Sequence, residues 1–151
     1  MYTIGIDLGG TNIVASVVDD EYKIIGTSKT PTNAPRSAHE IFDDIAKVCE
    51  EAVKAADLTM ADIDSVGMGT PGTVNQDGII EFANNLAFNN VPARTMLAKR
   101  LNMPEEKIYI ENDANCAALG EAYAGVGNGA KDFVAVTLGT GVGSGVIIDG
   151  K

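Results

Sequence analysis

Residues Ile4 to Asp19 read IGIDLGGTNIVASVVD and predict a β-hairpin closed by a glycine turn. β-Branched residues dominate both arms, as is typical of buried strands. The turn at Gly9–Asn12 contains two glycines, which permit positive φ and close approach of the backbone, then a hydroxyl and a carboxamide. Such a turn aims backbone N–H groups and a hydroxyl at one point, as an anionic phosphate group requires.

A second stretch repeats this pattern near the other end of the chain. Residues Phe133 to Asp149 read FVAVTLGTGVGSGVIID, again two β-branched arms around a glycine turn that carries a threonine. The turn lacks the lysine of a P-loop, Ser144 interrupts the GxGxxG spacing, and a strand follows where both of those motifs open a helix. Two related turns predict a phosphate held between two related halves, the second of which has only begun at Lys151.

Composition and charge restrict the function classes. The 151 residues carry 11 basic and 21 acidic side chains, a formal net charge of −10, which argues against a nucleic-acid or membrane-surface binder. A nucleotide ligand is still compatible, because backbone amides hold phosphates without net positive charge. The two cysteines, Cys49 and Cys116, match no zinc or disulfide spacing, and Met1 leads directly into a strand. We therefore expect a cytoplasmic protein with reduced thiols and no membrane segment.

The order of elements predicts an α/β fold with a mixed sheet. Strands are predicted at residues 2–8, 12–18, 23–30, 64–69 and 107–111, a small hairpin around 73–80, and helices after Ser37, at 93–101 and from 113 to 125. Ser37 and Glu40 form a capping-box pattern at the start of the first helix. The resulting β-β-β-α-β-α-β-α order indicates one complete lobe at residues 1–126. Residues 127–151 are predicted to be a linker and the first hairpin of a second lobe, so we expect a piece of a longer protein.

Three polar positions have both a functional and a structural interpretation. Asp113 lies where a strand meets a helix, so its carboxylate either accepts a proton from a substrate hydroxyl or caps the helix. Asp7 ends the first strand, where it either holds hydrated Mg²⁺ through water or caps a hairpin turn. The carboxamide-rich segment Asn84–Asn90 suits a ligand with many hydroxyls, although asparagines also form ordinary turns.

Five motifs together resemble the amino-terminal half of the ROK sugar kinases, most closely bacterial glucokinases. They are DLGGTN at Asp7–Asn12, GTPG at Gly69–Gly72, NNLAFNNVP at Asn84–Pro92, ENDANCAALGE at Glu111–Glu121 and LGTGVGSGVIIDGK at Leu138–Lys151. The sequence departs from the family at Phe88, where a tryptophan is usual in the sugar loop, and at Ser144, where a glycine is common. The resemblance covers the whole chain but only about half of a family member.

The resemblance implies a ribonuclease-H-like fold of the actin-like ATPase and hexokinase-like class. It implies ATP-dependent phosphorylation of glucose at the 6-hydroxyl by a full-length, homo-oligomeric parent, with the 151-residue chain inactive alone. Asp113 would be the catalytic base. The implied sugar-binding residues are Gly72, Asn85, Asn112 and Asp113. The implied ATP-binding residues are Asp7, Gly9, Gly10, Thr11, Asn12, Thr140 and Gly141, with Asp7 also holding Mg²⁺ through water. A structural zinc site is expected only in the part of the parent beyond Lys151.

Three alternatives remain open at this point. One is a ROK kinase for another hexose, such as fructose, mannose or N-acetylmannosamine. Another is a sugar-sensing ROK transcriptional regulator, although such regulators carry a helix-turn-helix domain before the sugar lobe and here Met1 begins at the first strand. The third is a structural piece whose exposed hairpin edge self-associates.

Overall fold

The structure is a computed structural model that describes residues 1–138 and 142–150. The chain divides into two compact units, Met1–Glu111 and Asn112–Lys151, and each is described by itself. No helix among the described residues is long and apolar enough to cross a membrane.

The first unit contains eight strands and two helices. These are β1 (Tyr2–Leu8), β2 (Asn12–Val18), β3 (Ile24–Pro31), α1 (Ala38–Ala55), β4 (Ile63–Thr70), β5 (Thr73–Val74), β6 (Ile80–Ala83), β7 (Phe88–Val91), α2 (Ala93–Leu101) and β8 (Ile108–Asn112, whose last residue belongs to the second unit). One-turn 3-10 helices occur at Met60–Asp62, Asn84–Leu86 and Glu105–Lys107.

A five-stranded mixed sheet in the order β3-β2-β1-β4-β8 is the framework of this unit. β2 runs antiparallel to both β1 and β3, whereas β4 runs parallel to β1. The predicted α/β class with a mixed sheet is therefore confirmed. Ile4, Ile6 and Leu8 alternate along β1 and are buried, because every second side chain of a strand faces the same side.

Helix α1 covers the sheet and begins as its sequence predicts. Ser37 and Glu40 form the full capping box, in which each side chain accepts a hydrogen bond from the other residue's backbone N–H. Gly26 on β3 lets the helix approach closely, since an added Cβ would lie 2.4 Å from the Ala52 carbonyl oxygen. Burial raises the pKa of the Cys49 thiol on this helix to about 12, so the thiol stays protonated and packs as a small apolar group.

A second, three-stranded antiparallel sheet is formed by β5, β6 and β7. Strand β7 was not predicted, because its sequence FNNV lies within a carboxamide-rich segment typical of turns. Phe88 at its start is only 2% exposed, and its ring centroid lies 6.4 Å from that of Phe42 on α1. Phe88 is therefore a core residue and presents no ring to a ligand.

The second unit consists of α3 (Asp113–Ala124), β9 (Phe133–Leu138) and β10 (Val142–Ile147). The antiparallel β9–β10 hairpin packs on α3 through small residues. An added Cβ at Gly145 would lie 2.4 Å from the Ala118 Cβ, and one at Gly143 would lie 2.9 Å from the Ala114 Cβ. Because α3 packs with the hairpin, the boundary between the compact units lies before α3. The predicted boundary between the lobes lies between residues 126 and 127. The predicted lobes of the longer protein stay a prediction.

Candidate functional site

The turn between β1 and β2 is tight but does not use positive φ. The only described glycines with positive φ are Gly72, Gly78, Gly129 and Gly150, so neither Gly9 nor Gly10 uses the positive φ that glycine permits. A side chain at Gly9 would be tightly placed, because an added Cβ would lie 3.1 Å from the Asn12 carbonyl oxygen. The Gly9 N–H donates to that same oxygen at 2.9 Å, so it closes the turn and is not offered to a phosphate.

The side chains around this turn suit a phosphate and a hydrated cation. Asp7 is exposed near the end of β1, and Thr11 and Asn12 are exposed in the second half of the turn. The described residues contain no group of three or more histidine, cysteine, aspartate or glutamate side chains that could enclose a metal ion. A single exposed carboxylate such as that of Asp7 suits Mg²⁺, which keeps several waters and needs only one or two carboxylates, and the ion itself stays a prediction.

A buried threonine that the sequence analysis missed holds the turn in place. Thr32 is fully buried; its N–H donates to the Thr11 carbonyl oxygen at 2.8 Å and its hydroxyl to the Gly9 carbonyl oxygen at 2.6 Å. Its own carbonyl oxygen accepts from the Arg36 Nε at 2.7 Å, and Arg36 pairs with Asp44 of α1. No local pattern marks Thr32, since its partners lie more than 20 residues earlier in the chain.

We expect Thr32→Val to destabilise the first unit by about 1–3 kcal/mol, because the partly buried Gly9 carbonyl loses its hydroxyl partner while side-chain shape is kept. Urea unfolding of the 151-residue chain measures this change. The matched control is Thr30→Val, the same substitution at a half-buried position of β3, which should shift the free energy of unfolding by less than about 0.5 kcal/mol. Equal effects of the two substitutions would contradict the assigned role of the Thr32 hydroxyl.

The turn after β4 approaches the end of β6 more closely than a side chain allows. Gly72 has φ +95°, and an added Cβ would lie 2.0 Å from the Phe82 carbonyl oxygen and 2.9 Å from the Ala83 Cα. Only glycine fits both the conformation and the space. This contact places Gly72 against the strand that leads directly into Asn84 and Asn85.

The carboxamide loop also contacts the first glycine turn. An added Cβ at Gly10 would lie 3.4 Å from the Asn85 Cβ, which is ordinary van der Waals distance. Asn85 itself is exposed, while Leu86 beside it is fully buried and anchors the loop. Since β1 and β4 are parallel neighbours, the turns that follow them lie at the same edge of the sheet. The first unit thus gathers Asp7, Gly9–Asn12, Gly72 and Asn85 at that edge.

The start of α3 carries two polar residues with different tasks. Asn112 is the N-cap: its Oδ1 accepts from the backbone N–H groups of Ala114 at 2.9 Å and Asn115 at 3.3 Å. Asp113 is the first helical residue, and its exposed carboxylate accepts one bond, from the Ala114 N–H at 2.8 Å. The interpretation of Asp113 as the cap residue is therefore wrong. Its carboxylate is accessible, and a negative charge is favourable at this helix end.

Two of the predicted ATP-binding residues, Thr140 and Gly141, lie outside the described residues. Ser144, which departs from the family pattern, is described: it lies on β10 directly opposite Val136 and is exposed.

Comparisons with known proteins agree on one family. The ROK family model matches residues 3–151. The glucokinase of Streptomyces coelicolor is 40% identical over 150 residues, which are 99% of this chain and 44% of that protein. A xylose repressor of Caldicellulosiruptor bescii is 35% identical over 156 residues, covering 98% of this chain and 37% of the repressor.

A solved structure confirms the fold. The crystal structure of a ROK family glucokinase from Streptomyces griseus, in complex with glucose and AMPPNP, superposes with a TM-score of 0.88 at 38% identity. The match covers 100% of this chain and 46% of that one. The predicted hexokinase-like class is therefore confirmed, and the chain spans about half the length of the curated relatives it matches.

Proposed function

The chain belongs to the ROK family, and on that premise we propose that it is the amino-terminal half of a kinase that transfers the terminal phosphoryl group of ATP to the 6-hydroxyl of glucose. The observation that carries the proposal is the exposed carboxylate of Asp113, beside a cap that Asn112 supplies. Because Asn112 supplies the cap, the Asp113 carboxylate is not needed for it and is exposed, so a substrate hydroxyl can reach it.

In the proposed reaction Asp113 accepts the proton of the 6-hydroxyl as the hydroxyl oxygen bonds to the terminal phosphorus. The bond between that phosphorus and the bridging oxygen of ADP breaks at the same time, so ADP leaves with the electron pair. Most of the acceleration in such a transfer comes from positioning and charge neutralisation, with one base to orient the nucleophile. Asn112, Asn85 and Gly72 are proposed to position the sugar.

The glycine turns are proposed to hold the nucleotide. In the first unit we propose that the backbone of Gly10 and the side chains of Thr11 and Asn12 contact the phosphates. The Gly9 N–H is not included, because it donates to the Asn12 carbonyl oxygen within the turn. Thr140 and Gly141 are proposed for the second turn. Asp7 would hold Mg²⁺ through water, and the ion would neutralise charge on the phosphates. The zinc site beyond Lys151, the homo-oligomeric state and the cytoplasmic location stay predictions.

The main rival from another class is a sugar-sensing regulator, supported by the 35% identity to a xylose repressor. An accessible carboxylate at Asp113 and two Gly-Thr turns favour the kinase, because a sensor needs neither a base nor a phosphate site. Kinases for fructose, mannose or N-acetylmannosamine are nearer rivals, because the carboxamide groups proposed to bind the sugar hydroxyls suit any of these sugars.

A coupled assay with MgATP and these four hexoses tests the proposal on a full-length protein that contains the chain. We expect the highest kcat/KM with glucose. The 151-residue chain alone should show less than about 1% of that turnover, because positioning supplies most of the rate and half of the site is missing.

Full turnover by the isolated chain would contradict the predicted division of the site. A higher kcat/KM with another hexose would reject glucose as the substrate. Sugar binding without ATP consumption for any hexose would favour the regulator.

A further inference from the structure

We propose that Phe82, flanked by Thr73 and Asn89, forms an outer wall of the sugar site on which one face of the hexose ring packs. The inference rests on the proposed function and assigns a specificity-determining residue to it. Phe82 is not part of any of the five family-like motifs and has no role in the mechanism described above.

Phe82 is the exception among the phenylalanines of the first unit. Phe42 is fully buried and Phe88 is 2% exposed, whereas Phe82 is 58% exposed. An exposed aromatic ring carries a large apolar area, and burying it on a ligand recovers free energy. On β6 the two end residues, Ile80 and Ala83, are fully buried, whereas Glu81 and Phe82 between them are exposed.

Strand register places two polar side chains beside this ring. Phe82 lies directly opposite Thr73 of β5 and directly opposite Asn89 of β7. Residues directly opposite in antiparallel strands project to the same face of the sheet, and both neighbours are exposed. The same face is closed at its other end by Ile80 and Val91, which are buried. Thr73, Phe82 and Asn89 thus form an exposed row at the end of this face of the sheet, and Ile80 and Val91 at the other end belong to the hydrophobic core.

The row is continuous with the candidate sugar site of the first unit. The Phe82 carbonyl oxygen is the atom that an added Cβ at Gly72 would meet at 2.0 Å. Ala83 and Asn84 then connect Phe82 to Asn85, whose Cβ lies against Gly10. Phe82 therefore lies on the end of β6 that contacts Gly72 and leads into Asn85, two of the proposed sugar-binding residues.

The chemistry of the row matches a pyranose. One face of a hexose carries C–H hydrogens of slight positive charge, which suit the negative face of an aromatic ring. The hydroxyls at the rim of the sugar need partners that donate and accept, as a threonine hydroxyl and an asparagine amide do. An axial hydroxyl on the packed face would hold the sugar away from the ring, so Phe82 would favour sugars whose substituents there are equatorial.

Variants of Phe82 in the full-length protein test the inference through sugar kinetics. We expect Phe82→Ala to raise KM for glucose about five- to tenfold while kcat changes less than about twofold, because the ring contributes binding and not chemistry. Phe82→Leu, which keeps apolar area without the ring, should resemble Phe82→Ala, and Phe82→Tyr should restore KM to within about twofold. Tyr22→Ala is the matched control, since Tyr22 is 60% exposed in the turn between β2 and β3, at the other end of these strands from the site.

Equilibrium binding of glucose to the same proteins decides the role of Phe82 independently of turnover. An unchanged glucose affinity in Phe82→Ala would overturn the inference while leaving the proposed kinase intact. Full affinity in Phe82→Leu would also overturn it, because any apolar side chain would then suffice. If the wild-type protein binds glucose but phosphorylates no hexose, the proposed kinase function is wrong. The glucose affinities of the Phe82 variants would still test whether the sugar packs on Phe82. A change of oligomeric state in Phe82→Ala without a change in affinity would identify the row as a protein contact and reject the inference.

Discussion

Asp113→Asn in the full-length protein is expected to lower kcat for glucose phosphorylation by about a hundredfold to ten-thousandfold, the usual contribution of a positioned base. Asparagine keeps the shape of the side chain and an oxygen that accepts from the Ala114 N–H. The cap is unaffected because Asn112 provides it. The loss should therefore appear in kcat, with KM for glucose and thermal stability close to wild type.

Steady-state kinetics and a thermal melt measure both parts of this expectation. Asp57→Asn is the matched control: it removes another exposed carboxylate, from the turn after α1, where asparagine tolerates the positive φ of 56°. That control should retain kcat within about twofold. An Asp113→Asn protein with full kcat would show that another group accepts the proton.

Gly72→Ala is expected to have the second large effect, on both stability and sugar binding. The added methyl group meets a backbone oxygen at 2.0 Å and the residue must hold φ +95°, so the turn has to move. The combined strain is expected to cost about 3 kcal/mol or more of unfolding free energy. Because the displaced partner is the Phe82 backbone, the Asn85 loop should move with it and KM for glucose should rise more than about tenfold.

Gly67→Ala provides the matched control for this substitution. Gly67 lies on β4, five residues before Gly72, has no positive φ, and an added Cβ there meets nothing within 4 Å. Denaturant unfolding and KM for glucose should both remain close to wild type in the control. If Gly72→Ala proved as stable as Gly67→Ala, with unchanged KM, the close approach of Gly72 to β6 would have no importance for the site.

The elements with strong periodicity were predictable from the sequence. The bounds of β1, β2 and α2 agree with the predicted residues, and α1 begins at the predicted capping box. In these segments local preference and burial act in the same direction, so a short window of sequence is enough. Strand β7 was missed because its two asparagines favour a turn locally, and only pairing with β6 makes them a strand.

Several structural roles of residues in the candidate site were not predictable from the sequence. The sequence did not indicate that the Oδ1 of Asn112 caps α3, and the predicted contact of Asn112 with a sugar hydroxyl stays a prediction. The role of Thr32 depends on contacts with Gly9 and Thr11, which are distant in sequence, and no window of the sequence contains both sides of them. The approach of Gly10 to Asn85 is likewise a product of the fold, since Gly10 lies in the turn between β1 and β2 and Asn85 in the 3-10 helix between β6 and β7.

The first glycine turn is described completely by the structure, whereas the second is described only in part. The first turn is described in full, fastened by Thr32 and adjacent to Asn85. Of the second, the arms β9 and β10 are described and pack on α3, while Thr140 and Gly141 lie outside the described residues. The repeat of the pattern thus predicts a nucleotide site shared by two halves, and the contribution of the second half stays a prediction.

Identification of the product tests the central claim most directly. Glucose and MgATP incubated with a full-length protein that contains this chain should give, by phosphorus NMR, ADP and a phosphomonoester on the 6-oxygen of glucose in equal amounts. Without glucose, ATP should persist. A spectrum in which ATP is untouched in the presence of glucose, or yields only inorganic phosphate, would contradict the assignment of this chain to a glucose 6-kinase.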